Sequence, residues 1–297
     1  MNYRAGSVQP LRVASHLAPE VEALYAYLAS RMAERIGRRP EFTVAESYER
    51  CANDVDDVRF VCSIPYLLFA DAGRIDMEVV AAPVLRGDRY GGRPIYFSDV
   101  IVASSSPHRS FAHLRGASWA YNEPFSHSGY VTVLHHLATL GEDGTYFSRM
   151  VEAGFHQTAI RMVADGSVDA AAIDSQVLDI ELRDHPELAV AVRRIGTIGP
   201  STIQPVVVSR SRLTDAERAA ITQALLDVAD DAAARPLLDA ALVERFVPVS
   251  DGSYADIRVM FERVQAAGLL EAAWHATWRA MADADGSAPS FADAAPA

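Results

Sequence analysis

Residues 114–131 read LRGASWAYNEPFSHSGYV, and this stretch decides how the chain is expected to fold. Residues 119–121 have the apolar character of a short buried strand, and residues 130–140 have the spacing of a helix that ends at a glycine. The polar loop between them places three hydrogen-bonding side chains in succession just before the helix begins. A strand, a polar loop and a helix in this order are typical of an α/β unit with a ligand site at the strand end.

The three side chains in that loop belong to Ser126, His127 and Ser128. The first N–H groups of a helix have no backbone partner, and the helix dipole places partial positive charge there. An anion can therefore collect N–H donors and serine hydroxyls at this point without any lysine. Simple capping of the helix by serine is the alternative interpretation.

Strand-like runs and helical patterns alternate along the rest of the chain. The alternation predicts an α/β fold with mainly parallel sheets and ligand sites at the carboxyl ends of the strands. The further predicted strands are 11–14, 41–45, 58–62, 77–84, 94–103, 170–173, 189–195 and 204–209. The further predicted helices are 20–36, 66–73, 146–152, 157–165, 177–182, 215–232 with Thr214 as N-cap, 254–267 and 271–282.

The composition excludes several classes of function. The chain of 297 residues carries a net charge of −12, which argues against a nucleic-acid-binding protein. All 27 basic residues are arginine, so lysine Schiff-base chemistry and a lysine-containing phosphate loop are both excluded. The two cysteines, Cys51 and Cys62, are expected to be free thiols. No cofactor is predicted.

The apolar residues predict no targeting or membrane segment. The N-terminal residues lack the apolar core of a secretory signal, and no run is long enough to span a membrane. We therefore expect a cytoplasmic protein as the sequence stands, or a periplasmic or extracellular one if the chain is trimmed.

Two blocks of sequence carry a recognisable pattern: residues 114–130, with the serine-rich loop, and residues 154–175, GFHQTAIRMVADGSVDAAAIDS. Together they resemble the phosphonate-binding family of ABC-transporter substrate-binding proteins, and they lie at the distance from each other that the family shows. Residues 96–102, YFSDVIV, are a weaker third match. The resemblance covers residues 58–230, and the two main blocks together are specific.

The resemblance implies a type II periplasmic-binding-protein fold, in which two α/β lobes are joined by two crossing strands and bind ligand between them. We place the crossings near residues 97–103 and 203–208. The predicted domains are a discontinuous lobe 1 of residues 1–99 and 206–282, lobe 2 of residues 100–205, and a disordered tail of residues 283–297.

The resemblance also implies which residues contact the ligand. Four would face its oxyanion: Ser126, His127, Ser128 and His156. Asp174, at a strand end, would receive an amino group or another polar end of the ligand, and Tyr66 and Tyr96 would line the lobe 1 side. The alternatives are an exposed loop histidine for His156, a helix N-cap for Asp174 and core packing for the two tyrosines.

The chain departs from the family pattern at three positions. His127 stands where the family usually has threonine, Cys62 follows a strand at which the family has an apolar or small residue, and His16 ends the first strand. With His156 and Asp174, these side chains could converge in the cleft. Such a set suits a transition metal or acid–base catalysis. The alternative is that two of them point elsewhere. No metal site is predicted; its candidates would be His16, Cys62, His127 and His156.

The leading functional hypothesis is a solute-binding protein without catalysis. It would bind a small anionic solute, such as a phosphonate or phosphate ester, close its lobes by a hinge motion and deliver the solute to an ABC permease. A cytoplasmic enzyme on the same fold, lyase-like, dehydratase-like or metal-assisted, is the alternative, and a sensor domain is a third. If His127 and His156 bind the oxyanion in their charged forms, affinity should fall as pH rises from about 6 to 8.

Overall fold

A computed structural model of the chain describes residues 9–17, 19–45, 48–270, 274, 275 and 278. Within these ranges the chain forms eleven strands and ten α-helices. The strands are β1 (Leu11–Ser15), β2 (Pro40–Val44), β3 (Val58–Phe60), β4 (Met77–Leu85), β5 (Ile95–Ala103), β6 (Ser118–Tyr121), β7 (Arg149–Glu152), β8 (Ala170–Asp174), β9 (Val192–Thr202), β10 (Val206–Ser209) and β11 (Val243–Pro248). The helices are α1 (Glu22–Arg35), α2 (Glu49–Ala52), α3 (Ser63–Asp71), α4 (Thr132–Thr139), α5 (His156–Ala164), α6 (Ser175–Asp184), α7 (Pro186–Ala191), α8 (Asp215–Leu226), α9 (Arg235–Ala240) and α10 (Ala255–Ala266).

The strands form two separate sheets. The first has the order β11-β4-β10-β3-β1-β2, and the second has the order β7-β6-β8-β5-β9. Each sheet is the centre of one lobe, so the predicted two-lobed α/β fold is confirmed. None of the helices in the described ranges is long and apolar enough to cross a membrane.

The chain passes between the sheets twice. It leaves the first sheet after β4 and enters the second at β5, and it returns between β9 and β10. The return, residues 203–205, falls in the predicted segment. The first crossing lies before residue 95, earlier than predicted, because residues 97–103 are already hydrogen-bonded to β8 and β9. The predicted domain boundary at residue 99 falls inside β5, and the assignment of residues to lobes by these boundaries stays a prediction.

The sheets are mixed rather than mainly parallel, so that expectation was wrong. β1 pairs parallel to β2 and β3, and β6 pairs parallel to β7 and β8. The strands that adjoin the crossings, β5 and β10, pair antiparallel to all their neighbours. A strand that enters the other sheet from the side of the cleft runs against the local βα units, which explains the reversal.

Helices cover the sheets by burying apolar stripes. In α1 the side chains of Leu24, Leu28 and Met32 are buried, as their helical spacing predicts. α8 begins with a capping box in which Thr214 and Glu217 bond each other's backbone N–H groups, so the predicted N-cap is confirmed. These contacts stabilise the cores of the lobes. The site is formed by residues at the ends of the core strands.

Three local predictions differ from the structure or lie beyond it. Residues 146–152 do not form a helix, because residues 149–152 pair with β6 as an edge strand. The predicted strand 189–195 begins as the end of α7, which has Pro186 at its first turn. The predicted helix 271–282 lies largely outside the described residues, and the predicted tail 283–297 lies outside them altogether.

Candidate functional site

A cavity of about 350 Å³ lies between the two sheets. It opens where the parallel strands of both lobes end, which is where ligands bind in open α/β sheets. The first lobe contributes the residues that follow β1, β2 and β3, and the second contributes those that follow β6, β7 and the last residue of β8. The described lining residues are His16, Leu17, Pro19, Val21, Tyr25, Val44, Ala45, Tyr48, Cys62, Asn122, Glu123, Ser126, Ser128, Gly154, Phe155, His156, Gln157, Asp174, Gln176, Val177 and Gln204.

The helix after β6 begins with a wide π turn at residues 127–131, not with an α turn. The N–H of Val131 donates to the carbonyl of Ser126 over 3.0 Å, five residues back. Ser126 caps the turn, because its Oγ accepts a hydrogen bond from the N–H of Gly129 over 3.0 Å. A hydroxyl that accepts one bond still has its own hydrogen to donate. Ser126 can therefore cap the helix and contact a ligand.

Gly129 is required by a close approach of three elements. A Cβ atom built on it would lie 2.1 Å from Asn122 Oδ1 and 3.2 Å from His156 Cε1. A side chain at this position would thus push the turn away from the loop after β6 and from α5. Glycine lets the turn, the loop and the histidine meet at the cavity wall.

Ser128 and His156 form the best-defined polar pair on the cavity. Ser128 Oγ lies 3.1 Å from His156 Nε2, and both residues are buried. Burial lowers the pKa of His156 to about 4, so its imidazole is neutral at pH 7. A neutral imidazole can donate a hydrogen bond from one ring nitrogen only, and the tautomer decides which nitrogen donates.

Asp174 ends β8 and also caps α6. Its Oδ1 accepts the N–H of Gln176 over 2.8 Å, and its Oδ2 accepts the side-chain amide of Gln204 over 2.8 Å. Burial raises the pKa of this carboxyl to about 6. One carboxylate oxygen of Asp174 thus acts as the helix N-cap that the alternative interpretation predicted. The residue also lines the cavity, beside the second crossing.

His16 and Cys62 line the cavity from the first lobe. The ring of His16 stacks on Tyr48 at 5.6 Å, and burial with the nearby cations Arg59 and Arg50 lowers its pKa to about 3. Burial raises the pKa of the Cys62 thiol to about 11, and this thiol lies 3.9 Å from the carbonyl of Phe125. Cys62 and Cys51 are both free thiols, as predicted.

Three predicted residues are not among the described lining residues. His127 turns to the other side of the π turn, where its Nε2 lies 2.9 Å from Ser201 Oγ, and burial lowers its pKa to about 3. Tyr96 is buried beside the ring of His127, and the hydroxyl of Tyr66 donates to Asp251 over 2.9 Å. For the tyrosines this is the packing alternative.

The described residues contain no group of three or more histidine, cysteine, aspartate or glutamate side chains that could hold a metal ion. His127 faces β9, away from the lining, and the thiol of Cys62 is held in its protonated form. Of the five residues that the sequence suggested could converge, four line the cavity, namely His16, Cys62, His156 and Asp174, and His127 does not.

Sequence reasoning missed a contact that joins the two lobes. Tyr48 donates from its hydroxyl to Glu123 Oε1 over 2.7 Å, and both residues line the cavity. Burial raises the pKa of the Glu123 carboxyl to about 7. Glu123 lies in the serine-rich loop, so its position in the sequence could have identified it as a site residue. Tyr48 lies in a segment without a clear pattern, so nothing in the sequence marked it. Among the described lining residues there is no arginine to offset this carboxyl.

A family model described as the periplasmic substrate-binding protein of a phosphonate ABC transporter matches residues 13–254. This match confirms the resemblance found in the sequence. A search of curated protein sequences gives no significant match.

Solved structures with the same fold include three binding proteins. A binding component of a phosphonate transporter from Pseudomonas aeruginosa has a TM-score of 0.75 at 19% identity, over 92% of this chain and 95% of that one. PhnD1 of Prochlorococcus marinus, in complex with methylphosphonate, has a TM-score of 0.73 at 14% identity, over 86% and 98%. The alkanesulfonate-binding protein of Xanthomonas axonopodis pv. citri, bound to MOPS, has a TM-score of 0.62 at 20% identity, over 90% and 96%.

Proposed function

The chain belongs to the family of periplasmic substrate-binding proteins of phosphonate ABC transporters, and we propose that its own cavity binds a phosphonate or a related oxyanion such as a sulfonate or phosphate ester. The observation that carries this proposal is the meeting of Ser126, Ser128 and His156 on one wall of the cavity. The hydroxyls and the imidazole supply neutral donors, and the π turn adds backbone N–H groups with the partial positive charge of a helix start.

The oxyanion would be held without a formal positive charge beside it. With the pKa of His156 lowered to about 4, the imidazole donates as a neutral group. Donation to the ligand from Nε2 requires the tautomer with a proton on that nitrogen. This N–H then bonds the ligand in place of Ser128 Oγ, and the Ser128 hydroxyl donates its own hydrogen to the ligand. A water-excluded site makes such neutral donors stronger than they are in water.

The cleft position supports a closing motion. The two sheets are joined by two short crossings, and ligand contacts from both lobes would favour the closed arrangement. We propose that lobe 2 is the body around the second sheet, between the crossings at residues 86–94 and 203–205, and that it carries the oxyanion donors. Tyr48 and Glu123 already bond across the cleft and would belong to the closed state.

The family description supports the partner and the compartment. Its members are periplasmic and serve an ABC transporter, and for this chain we propose delivery of the ligand to a permease and a periplasmic location. The alternative hypothesis, an enzyme built on the same fold, receives no support from the family match or from the solved structures.

A thermal-denaturation and calorimetry series tests the proposal. Methylphosphonate, phenylphosphonate and methanesulfonate are each added to the purified chain. A true ligand at a hundredfold its dissociation constant raises the free energy of unfolding by about 2.7 kcal/mol. We expect at least one of the three to do so and to give a binding heat at one site. No stabilisation and no heat from any of them would refute an oxyanion receptor.

A further inference from the structure

The cavity is larger than an oxyanion needs. Its volume of about 350 Å³ corresponds to about twelve water molecules at roughly 30 Å³ each, and it lies in the range of pockets that hold ligands with an organic body. The oxyanion donors Ser126, Ser128 and His156 occupy one wall. The remaining space must be filled by the rest of the ligand or by water.

Apolar residues line several sides of the cavity, and two of them lie at the outer edges of the two sheets. β2 is an edge strand of the first sheet and β7 is an edge strand of the second. Val44 ends β2, and Phe155 lies three residues beyond β7. The side of the cleft near the second crossing instead carries polar groups, with Asp174 bonded to Gln204. The outer edge of the cavity, which we call the mouth, therefore offers an apolar side chain from each lobe.

The two mouth residues are unusually exposed for their size. Phe155 is 61% exposed and Val44 is 42% exposed, and they are two of five large apolar side chains with high exposure among the described residues. They come from opposite lobes and line the same cavity, whereas Leu140, Val190 and Val259 do not. Single exposed apolar side chains are ordinary, but a pair facing one cavity indicates a ligand surface.

The position of Phe155 ties the mouth to the oxyanion wall. Phe155 is the extended residue that precedes α5, and the next residue, His156, contacts Ser128 over 3.1 Å. The phenyl side chain thus lines the cavity from the residue directly before the histidine of the oxyanion wall. The ring of Tyr48 lies on the first-lobe side of the same cavity.

We propose that the ligand is an oxyanion with an apolar organic substituent of several carbons, which extends from the Ser128–His156 wall to the mouth between Val44 and Phe155. This inference rests on the proposed function and deepens it by naming the class of ligand. It separates an alkyl- or arylphosphonate, or the corresponding sulfonate, from inorganic phosphate and methylphosphonate. The substituent would cover Phe155 and Val44, and this apolar contact would favour the larger ligands over inorganic phosphate and methylphosphonate.

The test measures affinities of the full chain for methyl-, n-butyl- and phenylphosphonate by calorimetry. Each buried methylene contributes about 0.8 kcal/mol, which is roughly fourfold in affinity. We expect n-butylphosphonate and phenylphosphonate to bind at least tenfold more tightly than methylphosphonate. Equal affinities, or weaker binding of the larger ligands, would overturn the inference while leaving the proposed function intact. Binding of none of the three would count against the proposed function itself.

Two variants test whether the preference for larger ligands arises at the mouth. Phe155→Ala and Val44→Ala should each reduce the butyl-to-methyl affinity ratio at least threefold. The matched control is Val190→Ala, which removes a side chain that is 79% exposed and does not line the cavity. It should leave the ratio unchanged. A ratio that is insensitive to both mouth variants, or equally sensitive to the control, would show that the substituent lies elsewhere.

Discussion

Ser126 and Ser128 differ in what their hydroxyl groups already do. Ser126 Oγ accepts the N–H of Gly129, whereas Ser128 Oγ contacts the ring of His156. Removing the first hydroxyl therefore affects both the helix start and the ligand, whereas removing the second leaves the cap intact and affects the ligand and the contact with His156. The two substitutions distinguish a binding role from simple capping.

We expect Ser128→Ala to weaken phosphonate binding by about 1.5–3 kcal/mol, the range for a hydrogen bond to a charged partner. Ser126→Ala should weaken binding similarly and also lower the free energy of unfolding by about 0.5–2 kcal/mol through the lost cap. Calorimetry and urea denaturation measure the two effects. Ser105→Ala, at an exposed serine outside the lining, is the control. Wild-type affinity in both cleft variants would show that the two serines do not bind the ligand.

Charged histidines do not explain a pH-dependent affinity in this site. Burial lowers the pKa of His127 to about 3 and of His156 to about 4, so both rings stay neutral from pH 6 to 8. The Glu123 carboxyl, with a pKa raised to about 7, titrates in that window instead. Its protonated form is compatible with a bound anion and its ionised form repels one. The expected sign is therefore unchanged, but the group responsible is different.

Affinity for methylphosphonate should fall as pH rises through about 7, and Glu123→Gln should flatten that fall. The ligand's own titration is common to both proteins, so the difference between their profiles isolates Glu123. The same raised pKa predicts that the carboxyl's contribution to folding stability is present at low pH and lost as pH rises through about 7. Glu187→Gln, an exposed glutamate on α7, is the control. Identical profiles for Glu123→Gln and wild type would contradict the assignment.

The sequence could predict which residues follow strands but not where their side chains point. His16, Cys62 and Asp174 line the cavity because they stand at strand ends, and strand ends meet at the cleft. His127 lies between two lining residues, yet the π turn directs its ring to β9. Rotation along a turn depends on backbone geometry that residue types alone do not determine. Tyr48 was missed for a similar reason, since its position in the cleft comes from tertiary packing.

At the scale of elements, the π turn is the feature on which the site depends most. An α turn would bring each N–H to the fourth residue back, whereas here Thr132 bonds His127 and Val131 bonds Ser126, five back. The wider turn shifts Ser126 and Ser128 relative to the axis of α4. Such local widenings are rare and frequently occur at functional sites.

Gly129→Ala tests the packing of this turn. The added methyl would lie 2.1 Å from Asn122 Oδ1, so the turn or the loop must shift. We expect a loss of about 1–3 kcal/mol in the free energy of unfolding, as for overpacking of a tight site, and weaker phosphonate binding. Gly144→Ala is the control, because nothing lies within 4 Å of a Cβ there. A variant as stable and as tight-binding as the control would show that the turn tolerates displacement.

Element types were predictable where the apolar pattern was long and not where it was short. α1 and α8 show several helical repeats and were both predicted, α1 with ends within two residues and α8 with the correct start but an end at residue 232 instead of Leu226. β7 has four residues, two of them exposed at the sheet edge, so no period could be read from it. β11 was missed because its partner, β4, lies far away in the sequence, and α9 was missed because it has only six residues. Pairing, rather than local preference, decides such segments.

At the scale of the whole molecule, the two crossings between the sheets determine the two-lobed arrangement. The sequence blocks at residues 114–130 and 154–175 predict lobe 2, because the first contains a strand, a loop and a helix start, and the second contains a helix and a strand that ends at the same ligand site. They do not reveal that β5 belongs entirely to the second sheet, since an apolar strand of this kind could pair in either lobe. The first crossing was therefore placed too late in the chain, while the two-lobed arrangement was predicted correctly.

The central claim is that the cleft holds an oxyanion on the wall formed by Ser126, Ser128 and His156. A crystal structure of the chain with methylphosphonate tests it most directly. The account predicts a phosphonate oxygen 2.6–3.2 Å from Ser128 Oγ and from His156 Nε2, about the length of a hydrogen bond, with the two lobes closed around the ligand. A phosphonate bound outside the cavity, or inside it without contact to these side chains, would contradict the account.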